Sequence, residues 1–202
     1  MVVETEDIDL APLESSNNNG ADDDGTKSHA INVVSRSQGV NNIPSSILGP
    51  MPSLIIPSPL GPLTISCSGQ VITSVEFGKK FAAVETGSVA SLRVMKKCAK
   101  ELGEYFNNER STFTVPLAPI GTDFQKKVWK AMLRVSFGET ISYKTLAKHA
   151  GKPKAIRASA SACGKNPILI LIPCHRIVAS EGKIGGYSGG MAKKRWLLGH
   201  EK

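Results

Sequence analysis

From Ser53 onward the chain sets short β-branched and aliphatic runs between turn residues. The stretch SLIIPSPLGPLTISCSGQVITSVEFG is cut by PLGP and SGQ, which predicts short antiparallel strands and a small sheet. The period then changes. In SVASLRVMKKCAKELGEYFNNER, Leu92, Met95, Ala99, Leu102 and Phe106 recur at helical intervals among basic and polar residues, predicting an amphipathic helix packed on that sheet. Thr122 and Gln125 then fit the S/T-x-x-E/Q capping box, and Phe124, Val128, Trp129, Met132 and Leu133 give the next helix its apolar face. SFGET reads as a turn. Ser142 can cap a helix from Tyr143 to Ala150, Gly151 suits the position after it, and Pro153 suits the first turn of a further helix ending near Gly164.

Two helices across a three-residue turn form a helix-turn-helix pattern, which ordinary helical hairpins share. On its second helix Ile156, Ala160 and Cys163 form the predicted packing side, and Lys154, Arg157 and Ser161 the outward side. Between them Ala155, Ala158, Ser159 and Ala162 are small enough to admit a close backbone. That suits DNA and tight helix packing equally well. Residues 1 to 50, by contrast, contain ESSNNNGADDDGT and SRSQGVNNIPSS with no sustained period, and are expected to be a disordered polar tail.

Composition narrows the class. A chain of 202 residues with 41% hydrophobic content can bury one or two cores. Its four cysteines show no CxxC or CxxH spacing, and MVVETEDIDL has neither a basic nor an apolar leader region, so a reducing, intracellular setting is expected. The aliphatic run Ile168 to Ile172 stops at Pro173, far short of the roughly 18 residues of a membrane span, which predicts a soluble protein with no membrane partner. Charge is divided unevenly. Residues 1 to 50 hold eight acidic and two basic residues, while residues 123 to 202 hold four acidic and sixteen basic ones. A balance that basic over the helical region points to a polyanion, with solubilising charge as the plainer reading.

The candidate chemistry lies in ILILIPCHRIVAS, residues 168 to 180, where Cys174, His175 and Arg176 follow the aliphatic run. A thiol buried there would have a raised pKa and little thiolate at neutral pH unless a base or a cation offset the burial. His175 and Arg176 are the nearby candidates, and the chain must turn at Pro173 for Cys174 and His175 to cooperate. Adjacency alone leaves a nucleophile and a small buried hydrophobe both open.

IPCHRIV, with GTDFQKKVW, FGETISY, KPKAIRA, KNP, GGYSGG and KRWLLGHE in this order, resembles the O6-alkylguanine-DNA alkyltransferase family across about residues 53 to 202. The resemblance implies DNA repair by single-turnover transfer of an alkyl group from O6 of guanine to the protein's own cysteine, and leaves O4-alkylthymine open as a second substrate. It implies Cys174 as acceptor, His175 as base through an ordered water, Glu201 as the carboxylate orienting His175, and Asn166 as the buried link between the helix-turn-helix and the cysteine segment. Tyr143 corresponds to the hydroxyl that protonates the leaving guanine and presses on the neighbouring phosphate. Arg157 corresponds to the finger that fills the gap left by the flipped base, with Ala158 and Ser159 beside it against the DNA. Ser188 corresponds to the donor to O6, Tyr187 to a pocket wall, and the carbonyls of Cys174 and Ile177 to acceptors for the exocyclic amine. Ile177 stands where PCHRV is more usual, a change that carbonyl recognition tolerates.

The expected fold is α+β: a polar tail over 1–50, a sheet-plus-helix domain over 51–115, and a mostly helical helix-turn-helix domain over 116–202 that carries the cysteine. The expected partner is double-stranded DNA containing O6-alkylguanine, bound by a monomer in the nucleus. No cofactor is implied, and no metal is expected because Cys67 and Cys98 have no nearby His. A sequence-reading helix-turn-helix regulator and a cysteine hydrolase are the rival classes. Neither dimer-forming heptads nor an effector domain favours the first, and the second requires turnover.

Overall fold

A computed structural model describes residues 52–78 and 88–202. The expected disordered tail over 1–50 lies outside the described residues. Three strands, β1 (Ser53–Ile56), β2 (Leu63–Ser68) and β3 (Val71–Phe77), form an antiparallel sheet in that order. Ile65 pairs with both Leu54 and Val75, and a bulge at Ser66 and Cys67 shifts the register near the β2–β3 turn. Gly69 closes that turn at φ +60°, a conformation that costs glycine least.

Helix α1 (Val89–Phe106) packs on the sheet, capped by the Ser88 side chain, which accepts from the Ser91 amide. Its buried line runs through Met95, Cys98, Leu102 and Tyr105. Leu92, Ala99 and Phe106, expected at the centre of that face, are only partly buried beside it. Counting Cys98 and Tyr105 as apolar rotates the stripe by about one position, which explains the difference.

The sheet is joined to the rest of the chain by backbone bonds. The Val75 amide donates to the Pro167 carbonyl at 3.0 Å and the Leu169 amide to the Val75 carbonyl at 2.9 Å, so β3 grips the chain a few residues before Cys174. The aliphatic run itself is a buried turn rather than a strand. Ile172 donates back to the Ile168 carbonyl at 3.0 Å, and Ile170 is held at φ +71°, where a β-branched residue is strained. Such backbone persists because its surroundings leave no alternative, and Ile168 to Ile172 are all buried.

Helix α2 (Asp123–Met132) begins with the expected reciprocal capping box of Thr122 and Gln125. Strand β4 (Ile141–Ser142) leads directly into α3 (Tyr143–His149), and α4 (Ile156–Gly164) follows. Residues 150–155 separate the two helices, a longer link than the three-residue turn expected. Pro153 lies in that link rather than in the first helical turn, with Gly151 left-handed at φ +72°.

The packing side of α4 also departs from expectation. Ile156 is 38% exposed, whereas Ser159, Ala162 and Cys163 are buried. That i, i+3, i+4 line faces α2, where the Trp129 indole N–H donates to the Ala162 carbonyl at 2.9 Å. The small residues at 159 and 162 therefore permit helix packing. Ser159 is fully buried and cannot touch DNA from this position, which corrects its assignment beside Arg157; Arg157 and Ala158 are exposed. Helix α5 (Met191–His200) closes the chain and was not anticipated, because its inner face carries Lys194 where an apolar residue would have announced it.

Candidate active site

After Pro173 the backbone turns into one turn of 3-10 helix, Cys174–Arg176, which brings Cys174 and His175 within reach of separate partners. Immediately beyond it, β5 (Ile177–Val178) pairs in parallel with β4, Ile141 opposite Ile177 and Ser142 opposite Val178. Because Tyr143 starts α3 one residue after β4, this pairing fixes the tyrosine relative to the cysteine turn. A short parallel pair between segments so distant in sequence carries no local signal.

Asn166 follows α4 and is buried. Its Nδ2 donates to the Ile172 carbonyl at 2.8 Å and to Cys174 Sγ at 3.2 Å, while its Oδ1 accepts from the Ile168 amide at 3.0 Å. The helix-turn-helix and the cysteine turn are thus tied through one amide. Cys174 itself is 3% exposed. Burial pushes its thiol up to about 11, but the Asn166 bond, the Lys194 charge and the amides of Cys174 and His175 all pull it down. Each of these four favours the thiolate, so the pocket is arranged for sulfur to become negative when something takes its proton.

Lys194 was not foreseen as a site residue. It is fully buried on α5, and its Nζ donates to the Ile177 carbonyl at 2.6 Å and the Gly186 carbonyl at 3.3 Å. Burial lowers its pKa, and the two thiols Cys163 and Cys174 oppose that shift. Cys163 lies beneath the turn with its Sγ 4.0 Å from the Cys174 carbonyl, and burial pushes its thiol well above the usual range.

His175 is fully buried, and its Nε2 lies 2.7 Å from Glu201 Oε1. Burial raises the pKa of Glu201, but hydrogen bonds and charge from His175 and Arg176 overcome it and hold the carboxyl at about 2. An ionised carboxylate can only accept, so Nε2 carries the hydrogen and Nδ1 keeps a free lone pair. That Nδ1 is buried without a protein partner, as a base awaiting a proton must be. Burial also lowers the pKa of His175 against the pull of Glu201, which leaves the ring neutral at rest.

Arg176 proves to be structural. Its Nε and Nη2 reach the two Glu201 oxygens at 2.8 and 3.0 Å, and its Nη1 donates to the Val135 carbonyl at 2.7 Å. A guanidinium that deep needs the bidentate carboxylate opposite it. Gly138 adds its amide to Glu201 Oε2 at 3.3 Å; it is left-handed at φ +79°, and a Cβ there would lie 2.8 Å from the Glu201 carbonyl.

The loop 185–190 shapes the opening. A Cβ on Gly185 would meet the Tyr143 hydroxyl at 2.7 Å, and one on Gly189 would meet the Tyr187 and Phe77 rings at 2.6 and 2.8 Å. Both glycines therefore permit close packing. Burial pushes the Tyr143 hydroxyl up to about 12, with the neighbouring thiols adding to it, so it carries its proton at neutral pH. Tyr187 is half-buried with an unpartnered hydroxyl, and its ring lies edge-on to His175 at 6.5 Å. Ser188 is exposed and, with Glu76, Phe77, Lys165 and Asn166, lines a cleft of about 380 Å³. Lys126, Lys127 and Lys130 on α2, Lys144 and Lys148 on α3, and Lys152 and Lys154 beside α4 are all exposed. Among the described residues no group of three or more His, Cys, Asp or Glu could hold a metal ion, and no helix is long and apolar enough to cross a membrane.

The DNA-binding domain of 6-O-methylguanine DNA methyltransferase matches residues 123–202, and the ribonuclease-like domain of the same name matches residues 54–119. A methylated-DNA–protein-cysteine methyltransferase from Methanosarcina barkeri is 40% identical over 146 residues, covering 71% of this chain and 92% of that protein. One of the same name from Haemophilus influenzae is 40% identical over 149 residues, covering 72% and 83%. Among solved structures, that of Mycobacterium tuberculosis OGT in complex with DNA is 41% identical with a TM-score of 0.66, over 73% of this chain and 91% of that one.

Proposed function

Since the chain belongs to the O6-alkylguanine-DNA alkyltransferase family, we propose that it repairs DNA by moving the alkyl group of O6-alkylguanine onto Cys174, once per molecule. The observation that carries this reading is the convergence on one turn of a buried thiol bonded by Asn166 and a neutral histidine fixed by Glu201, beneath a helix-turn-helix. In the reaction the Cys174 proton passes to the free Nδ1 of His175, directly or through a water. The thiolate attacks the alkyl carbon, the bond from carbon to O6 breaks with its electron pair moving into guanine, and the Tyr143 hydroxyl supplies a proton to the base. The imidazolium then returns its proton toward Tyr143. The product is a thioether with no leaving group suited to hydrolysis, which ends the cycle without a cofactor.

Double-stranded DNA is the partner, engaged by exposed lysines through its phosphates. The O6 carbon is out of reach of a buried thiol while the base is stacked, so the nucleotide must leave the helix. Ser188 and Tyr187 then border the base, and the Ile177 carbonyl, steadied by Lys194, faces its amine. One chain supplies every group named, in keeping with a monomer, and the substrate puts the protein wherever the genome is, the nucleus in a eukaryotic cell. The test is to mix the protein with duplex oligonucleotide whose O6-methylguanine is labelled on the methyl: label should become bound to protein and saturate at no more than one per chain. Continued release of label with DNA in excess contradicts the proposal.

Arg157 separates repair from sequence reading. As a phosphate contact its loss would weaken all binding uniformly; as a guanine reader, its loss would relax one position by about 1–3 kcal/mol. As the residue that fills the vacated space it stabilises the flipped state, whose unstacking costs a few kcal/mol. Arg157→Ala is therefore expected to slow transfer from duplex far more than it weakens binding, and to spare transfer from the free base O6-benzylguanine. Equal losses on both substrates would remove that role.

A further inference from the structure

Tyr105 takes no part in the chemistry above, yet its hydroxyl reaches the proton relay. It lies near the end of α1, in the half of the molecule built on the three-stranded sheet, and is fully buried. Its ring is boxed by Phe106, Phe113, Phe137 and His200, with centroids 5.4, 5.5, 6.1 and 5.1 Å away. His200 Nε2 also donates to the Tyr105 carbonyl at 2.8 Å, clamping the end of α5 to α1. From this fixed ring the hydroxyl donates to Glu201 Oε1 at 2.8 Å. The same oxygen accepts from His175 Nε2 at 2.7 Å and from Arg176 Nη2 at 3.0 Å.

We infer that Tyr105 is a positioning residue of the alkyl-transfer site: its hydroxyl holds Glu201 Oε1 against His175 and tempers the negative charge that His175 feels. The inference rests on the alkyl-transfer reading of this site. It has two physical parts. Three donors converging on Oε1, with Arg176 Nε and the Gly138 amide on Oε2, leave the carboxylate no freedom to rotate. Each donor also draws charge from the oxygen it meets. Without the phenol, Glu201 becomes a stronger partner for an imidazolium, and His175 becomes easier to protonate.

The other groups facing this pair come from several elements. Arg176 and Cys174 share the 3-10 turn, Lys194 approaches from α5, and Tyr187 comes from the loop before it. His200 lies on the far side of the Tyr105 ring. Burial, Arg176 and Lys194 all disfavour a charged His175 while Glu201 favours it, so losing the Tyr105 hydroxyl changes the one favourable side of that balance. The sheet-bearing half of the molecule thus supplies a part of the relay.

Tyr105→Phe removes one oxygen and keeps the ring. Single-turnover transfer from the methyl-labelled duplex, followed over about pH 5 to 9 where histidine titrates, is the measurement. The expected result is transfer slowed about tenfold at neutral pH, the scale of one hydrogen bond to a charged group, with the acidic limb of the profile moved to higher pH. A ring-fluorinated tyrosine placed at 105 is a stronger donor and should move that limb to lower pH; it also decides the matter if the Phe variant does not fold. A loss of rate with an unmoved limb in the folded variants means that Tyr105 only packs, and overturns the inference. Should the unaltered protein transfer no label, the proposed function fails instead, so the two failures are distinguishable.

Discussion

Replacing Cys174 by alanine is expected to abolish methyl transfer while duplex binding survives. The loss should be total because no other thiol can take over. Cys67 and Cys98 are fully buried in the core formed by the sheet and α1, and Cys98 is pushed up to about 12 by burial with the Glu101 charge adding to it. Cys163 is nearer, but it points at the Cys174 carbonyl, is itself buried, and has neither the Asn166 bond nor the His175 base. Binding is spared because Cys174 is almost entirely covered and the exposed basic side chains on α2, α3 and α4 are untouched. Label transfer and a gel-shift titration on the same preparation check both halves. Residual stoichiometric label on Cys174→Ala would move the acceptor elsewhere, whereas Cys67→Ala and Cys98→Ala should transfer normally.

Glu201 is expected to show the second large effect, on stability and rate together. Glu201→Ala strands the Arg176 guanidinium in the interior, and breaking one side of a buried ion pair costs about 3–5 kcal/mol, a large share of a typical domain's 5–15 kcal/mol. Glu201→Gln keeps the volume but no longer dictates which nitrogen of His175 carries the hydrogen, so transfer should slow on the order of 10²-fold, the low end of what a positioned base contributes. Deleting residues 201 and 202 should slow transfer in the same way. Acid stability follows from the same carboxyl. It is held at about 2 in the folded protein against an ordinary 4.5, so the unfolded chain binds its proton first as pH falls. The stabilisation from this group is fully present above about pH 4.5 and is lost progressively toward pH 2, amounting to roughly 3 kcal/mol over the window. Thermal melts across that range should fall steeply for the unaltered protein and distinctly less for Glu201→Gln. Equal slopes would mean that Glu201 is not the carboxylate that governs acid unfolding.

Much of this is written in local sequence. The capping box at Thr122 and Gln125, the cap at Ser142, the strands broken by PLGP and SGQ, and the turn required at Pro173 all follow from local stereochemistry. Cap residues, period and backbone restriction act over a few residues, and a sequence displays them directly. Motifs in fixed order pointed to the family, and with it to Cys174, His175, Asn166 and Glu201 as parts of one site. Sequence and structure differ where a residue's face depends on a partner helix. Ser159 was expected beside Arg157 toward DNA and turned inward, because α2 approaches α4 on that side and its indole bonds the Ala162 carbonyl.

What only the tertiary structure decided is which charged and polar side chains lie inside. Burying an unpaired ion is costly, and nothing local in the sequence offers Arg176, Lys194 or Glu201 a partner inside. Their partners come from far along the chain: Glu201 meets His175 across 26 residues and Tyr105 across 96, and Arg176 reaches Val135 across 41. Only when α1, the cysteine turn and the end of α5 pack together does each charge find the donor or acceptor that makes burial tolerable. The chain by itself therefore determined the reacting groups, while folding determined the protonation and alignment that let them react.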